Sequence, residues 1–424
     1  MCKSNNQDHQ VILFHNKIMK MINIFFLLVL CLVTITSHRV DGSQSTVKEN
    51  LELERQLKLI NKLPIKSIQT KFEYMVDCVD INKQPAFDHP LLKNHKLQRR
   101  PLFHIKNGKT SAKNSPTNLM FGLEKVECPT GTVPIRRTTK DDLIRSKSLW
   151  NDNILTTNVV RHNAEVSLKK PGQQLYYGVS GTTSVYNLKI NIAQSSSSHI
   201  HIQNGDGTNK IIVGWHVFPH IYGDDRPHVF AAWTCFITLK YNSILNHVNS
   251  QIISRKPDAT ICNVKVLFRL IVNFTSVELC QTYLSMVDQC LICQLLFSSS
   301  LEGNNKWWVM IHNKAVGYFP VALFTNLYVA DQVSWGGATI AIDAPSPPMG
   351  SGYFPDGNLY HSCYFKNIAF KNGTTSPNFG PDKLSIQEFT DSPKCYGVEY
   401  YEKTKYGSDD YTLLFGGPGG NECT

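Results

Sequence analysis

Lys210-Ile211-Ile212-Val213-Gly214-Trp215-His216-Val217-Phe218 places Ile211, Val213, Trp215 and Val217 on one side of an extended chain and Ile212, Gly214, His216 and Phe218 on the other. A period of two is that of a β-strand, and a wholly apolar side has to be turned into a core. Position 212 is thereby left on the opposite side, where a groove would run.

Outward from this strand, from about Ala164 to the C-terminus, short runs of Val, Ile, Tyr and Phe alternate with clusters of Gly, Pro, Asn and Ser. Strand candidates are Tyr176–Gly178, Tyr186–Ile192, Val229–Trp233, Lys306–Ile311, Ala315–Phe319, Gln332–Trp335, His361–Phe365 and Leu413–Gly416. This spacing predicts an all-β fold class: an antiparallel β-sandwich C-terminal domain over residues 163–424. In Val333-Ser334-Trp335-Gly336-Gly337-Ala338 the two glycines permit close backbone approach, as a substrate cleft requires.

The chain has 424 residues, enough for two or three folding units. Met19-Lys20-Met21 precedes an apolar run from Ile24 to Ile35 and a polar stretch, the pattern of a secretory signal peptide within a leader of residues 1–42. The apolar run is too short for a stable membrane span. The polar residues ahead of it make Met19 and Met21 alternative starts. Residues 43–140 read as a smaller α+β domain ahead of the sandwich. Its helix covers Glu49 to Asn61, where Leu51, Leu53, Leu57 and Ile60 recur at near-helical spacing before Pro64. Residues 141–162 are dense in charge and read as a linker.

The formal charge is +10, but Lys and Arg are spread along the chain without an Arg/aromatic repeat. A basic secreted protein, extracellular or in the cell wall, is the expectation, and a nucleic-acid partner is not. Oligomeric state is not readable. Twelve cysteines in an oxidising compartment point to disulfides. Cys2 and Cys31 leave with the leader, and Cys78 and Cys128 fall together in residues 43–140, where they can pair. Cys235, Cys262, Cys280, Cys290, Cys293 and Cys363 carry no assignment. Asn273-Phe274-Thr275 and Asn372-Gly373-Thr374 are glycosylation acceptors if the chain is secreted.

Gly-x-Ser-x-Gly, Walker, His-Glu-x-x-His and Asp-Thr-Gly sequences are all missing, which removes the usual warrants for serine, nucleotide-dependent, zincin and aspartic chemistry. His199-Ile200-His201, with His216, His220 and His228 downstream, is weak ligand spacing, so groove-lining histidines are expected and no metal or other cofactor. Cys290-Leu291-Ile292-Cys293 has redox spacing but neither a second pair nor a nearby His. Trp307-Trp308, Tyr318-Phe319-Pro320 and Tyr353-Phe354-Pro355 suit either core packing or a groove for proline-rich chains.

Val76-Asp77-Cys78-Val79-Asp80-Ile81-Asn82-Lys83-Gln84-Pro85-Ala86-Phe87-Asp88-His89-Pro90-Leu91-Leu92 closely resembles the activation peptide of the plant neprosin family, as does Cys128-Pro129-Thr130-Gly131-Thr132-Val133-Pro134. Gly214-Trp215, Trp335-Gly336-Gly337, Asn304-Asn305-Lys306-Trp307-Trp308 and Met349-Gly350-Ser351-Gly352-Tyr353-Phe354-Pro355 extend the resemblance to that family's peptidase domain. It fails between Lys240 and Ser300, an atypical insert or wrongly joined coding sequence. Peptidases of the family cleave beside proline with one glutamate in a Glu-Ala-Gly-Trp strand and another in a Trp-Gly-Gly-Glu strand. One such acid is ionised to activate water while the other stays protonated. Those positions here are Ile212 and Ala338, which cannot transfer protons.

The resemblance therefore implies no catalytic residue but a surviving groove lined by Gly214, Trp215, His216, Trp335, Gly336 and Gly337, with proline-rich extracellular peptides or wall glycoproteins as its partners. It also implies a Cys395–Cys423 disulfide. The rival is an active proline-directed endopeptidase using displaced carboxylates, for which Asp224, Asp225, Asp331 and Asp343 are the nearest candidates.

Overall fold

The computed structural model describes residues 49–70, 73–102, 128–151, 158–169, 174–204, 207–234, 261–262, 268–269, 293–302, 305–311, 314–402 and 411–423. The signal-peptide, Asn273 and Cys290 expectations lie outside these residues. Two compact units divide the chain, residues 1–60 and 61–424. In the first, residues 49–60 form helix α1 as the leucine spacing predicts.

The second unit begins with a three-stranded antiparallel sheet of β1 (Lys66–Gln69), β2 (Met75–Asp80) and β3 (Thr132–Arg136), in the order β1-β2-β3. The expected Cys78–Cys128 disulfide closes it across 50 residues of sequence. Arg137 forks onto both oxygens of Asp77, donating at 2.8 and 2.6 Å and so fixing the carboxylate. Three short 3-10 turns follow β2, and the side chain of Asp80 caps the first by accepting from the Asn82 amide. The expected linker opens instead with helix α2 (Lys140–Asn151). Thr139 and Asp142 form a capping box, each side chain accepting from the other's backbone N–H, at 3.1 and 2.8 Å.

The remainder is the predicted sandwich. Its seven-stranded sheet runs β16 (Ile386–Thr390), β4 (Val159–Lys169), β14 (Gln332–Ile342), β6 (Gln194–Asn204), β7 (Asn209–Val217), β8 (Pro227–Thr234) and β9 (Ile261–Cys262). The eight-stranded sheet runs β10 (Phe268–Arg269), β13 (Lys314–Pro320), β12 (Lys306–Ile311), β11 (Cys293–Glu302), β5 (Gly178–Val185), β15 (Cys363–Lys371), β18 (Thr412–Gly416) and β17 (Gly397–Tyr401). The described strand pairs are antiparallel. A short helix, α3 (Pro219–Tyr222), ends on Gly223, whose φ of +77° is the left-handed cap that glycine favours.

Three expectations are corrected here. Tyr186–Ile192 is not a strand; the strand is the preceding β5, Gly-Val-Ser-Gly-Thr-Thr-Ser-Val. Its polar side chains are buried yet bonded: Thr183 Oγ1 lies 2.6 Å from Ser198 Oγ in the opposite sheet, so no hydrophobic period marks it. β4 begins inside the expected linker. The end of the stretch read as atypical is β11, an interior strand paired with both β5 and β12.

Five tryptophans are fully buried, Trp215, Trp233, Trp307, Trp308 and Trp335, of which Trp307 and Trp308 are neighbours on β12 and so lie on opposite faces of their sheet. Each removes roughly 4–6 kcal/mol worth of apolar surface from water before chain entropy is subtracted. Trp215 and Trp335 also cross the interface, donating their indole N–H to the Ser184 and Ser180 carbonyls of β5 at 2.9 and 2.8 Å. The second expected disulfide, Cys395–Cys423, ties the C-terminus beside β17.

Candidate functional site

The outer face of β4, β14, β6, β7 and β8 carries the chemistry. Strand alternation puts Ile212, Gly214 and His216 there and turns Trp215 inward, as the sequence predicts for this strand. The same rule corrects half of the expected groove lining. Trp215 and Trp335 are completely buried in the core, and Gly337 also points inward, where a Cβ would lie 2.5 Å from the Phe415 ring. Consecutive residues of a strand cannot share a face, so only Gly214, His216 and Gly336 of that set belong to the outer floor.

Register gives the floor its rows. Ile212 pairs with His201, which pairs with Ser334; Ala338 pairs with Ser197, which pairs with His216. Ile212 and Ala338 thus stand four residues apart along the strands, roughly 13 Å. Neither row contains a carboxyl group: the first continues to Ala232 and Ser167, the second to His228 and Asn163. Midway between them runs the row Gly214, His199, Gly336 and Glu165. A Cβ on Gly214 would fall 2.1 Å from the Ser198 carbonyl oxygen and one on Gly336 2.3 Å from that of Ala164, so both positions demand glycine. His199 is flanked by a glycine on either neighbouring strand.

Toward β8 the histidines interlock. His216 stacks on Phe230 at 4.3 Å and its Nε2 lies 2.7 Å from the Tyr222 hydroxyl. Tyr222 in turn stacks on His228 at 3.7 Å, and His228 Nε2 is 2.7 Å from Asp224 Oδ1. Burial drives His216 down to about 3, helped by the charges of His228 and His199. His228 is also lowered, since burial outweighs the opposite pull of Asp224. On Asp224 burial acts upward, but hydrogen bonds from His228 and Arg226 prevail and keep its carboxyl below the ordinary range. Tyr74, from the three-stranded domain, plugs into this end. Its hydroxyl bonds Asp224 and receives Arg226 Nη2 at 2.6 Å, while the Arg136 guanidinium lies 4.5 Å over its ring.

The four acids considered from the sequence are used elsewhere or lie off the floor. Asp224 is held as above, and Asp225 pairs with Lys189 at 2.5 Å. Asp343 ends β14 with a φ of +46° and accepts from the Asn158 amide, while Asp331 precedes β14. The carboxylate that does stand on the floor is Glu165, raised above its ordinary value by burial despite the nearby Lys210 ammonium. Sequence reasoning missed it because no strand was assigned over residues 159–169. The alternation Ala164-Glu165-Val166-Ser167-Leu168 was the available signal, with Ala164, Val166 and Leu168 all in the core.

Of the aromatic candidates, Trp307, Trp308, Tyr318 and Phe319 are core residues, whereas Tyr353 is 66% exposed and Phe354 39%.

A small disulfide-closed domain thus leads into an antiparallel two-sheet sandwich whose outer floor carries buried titratable side chains. Residues 67–175 match the neprosin activation peptide family, and residues 193–247 and 289–418 match the neprosin family. The chain belongs to the neprosin family. Two solved structures are similar to it. One is a Scytalido-glutamic peptidase bound to a peptide-based transition-state analogue: 9% identity, 61% of this chain and 99% of that one covered, TM-score 0.31. The other is SCP-B, a member of the eqolisin family of peptidases, in complex with the tripeptide Ala-Ile-His: 8% identity, 61% and 98% covered, TM-score 0.29. Among the described residues no helix is long and apolar enough to cross a membrane.

Proposed function

We propose that this protein is a secreted neprosin-family member without glutamic peptidase turnover, which binds proline-rich extracellular peptides or wall glycoproteins. The observation that carries this reading is the outer floor itself: Ile212 and Ala338 fill the two acid positions, and no carboxyl shares either row. General acid-base assistance is worth about 100- to 10,000-fold in rate, and an alkyl side chain supplies none of it. The exposed Tyr353 and Phe354 offer aromatic faces of the kind that dock prolyl rings. Asn372, in an exposed bend after β15, is accessible to a glycan. The leader of residues 1–42 and the propeptide domain of 43–140 support the secretory reading.

A second reading is favoured by one residue. Glu165 is a displaced carboxylate, raised by burial, between the two vacated positions. The test is to express Ser43–Thr424, verify a β-rich spectrum, and offer a quenched proline-containing peptide from about pH 2.5 to 7, a span that brackets the ordinary carboxyl range. Peptide binding by fluorescence anisotropy without cleavage is the expected result. Cleavage that disappears in Glu165→Gln overturns it in favour of the active peptidase.

A further inference from the structure

We propose that Glu165, His199 and His201 form a binding site for a zinc-class divalent cation. The inference goes beyond the peptide-binding reading and does not depend on it.

One ligand atom from each of the three side chains lies within 4.8 Å of the others. Tetrahedral zinc, with bonds of about 2.0–2.1 Å, places its donors roughly 3.4 Å apart. Small rotations of the three side chains close that difference. Two imidazoles and one carboxylate are a donor set zinc accepts, with a fourth position left for water or a ligand group.

The backbone is arranged for this convergence. His199 on β6 and Glu165 on β4 are both in register with Gly336 on β14, so the strand between them presents no side chain where the two must meet. His201 stands two residues along the same strand, on the same face, with its ring 6.0 Å from that of His199 in a stacked pose.

An independent observation points to a missing ligand. His201 Nε2 is buried and has no hydrogen-bond partner among the described residues, while Nδ1 of the same ring faces Glu165 Oε2 only at 3.7 Å. Leaving a buried polar atom unsatisfied costs about 1–3 kcal/mol, which an ion held at Nε2 would recover. Both rings are also in the state that ligates. Burial drives His199 down to about 3 and His201 well below its ordinary value, with Lys210 adding to both, so each is neutral. Lys210 is the competing cation on this floor: burial lowers it first, and Glu165 pulls the other way.

The test uses Ser43–Thr424, stripped with chelator and titrated calorimetrically with zinc chloride, then with cobalt chloride followed by visible absorption. One equivalent of zinc and cobalt bands of tetrahedral intensity are expected. His199→Asn and Glu165→Gln should each lose at least tenfold in affinity, and Lys210→Met should gain. His361→Ala removes an exposed histidine bonded to Asp356, away from Glu165, His199 and His201, and should change nothing. If His199→Asn fails to fold, Glu165→Gln and the wild-type cobalt spectrum decide. No stoichiometric binding, octahedral cobalt, or undiminished affinity in a folded Glu165→Gln variant would each overturn the site.

Discussion

The two faces of the seven-stranded sheet are built from the same strands and are both largely buried, yet they differ in kind. The inner face of β6, β7 and β14 is Ile200, Ile202, Ile211, Val213, Trp215, Val217, Val333 and Trp335. The outer face presents His199, His201, His216 and His228, with Glu165 and Lys210 beside them. Apolar burial needs no further explanation, because it drives folding. Burying titratable groups costs stability, so the outer face is the one whose composition packing alone does not account for.

The comparison breaks most visibly with acid. His199 and His216 have folded values near 3 against 6.5 for the free side chain. Between those values the unfolded chain binds more protons, so their contribution is complete above about pH 6.5 and is lost as pH falls toward 3, by up to about 1.4 kcal/mol per pH unit for each. Urea melts across that window should show the slope, and a folded His199→Phe variant should flatten it. No inner-face residue can produce it.

Next in size is the inner face itself. Trp335→Ala should cost about 3–5 kcal/mol, for a large cavity and a lost bond to Ser180, read by chemical denaturation. On the outer face Gly214→Ala should cost about 1–3 kcal/mol, because its Cβ meets backbone rather than a movable side chain. The smallest effect belongs to Ala338→Ser, within about 0.5 kcal/mol, since the position is half-buried and its neighbours are polar. A large loss there would mean that the outer floor is packed as tightly as the core.

Much of this was legible in the chain. The face assignment of β7 followed from its alternation, and both disulfides among the described residues were expected, one from its region and one from the family likeness. The groove was read less well: Trp215 and Trp335 were assigned to it because they adjoin its glycines, whereas neighbours in a strand point to opposite faces. β5 escaped notice because its Ser and Thr hydroxyls are satisfied by the opposite sheet, a partner that lies far off in sequence. The capping box that starts α2 was present in Thr139 and Asp142 but hidden in a stretch read as linker.

By itself the sequence determined the sandwich, through local periodicity, and the propeptide ahead of it, through motif likeness. Only the tertiary structure brought Glu165 to His199 and His201. They belong to strands joined by no local pattern, and their meeting depends on β14 entering between β4 and β6 in the one register that sets Gly336 between them.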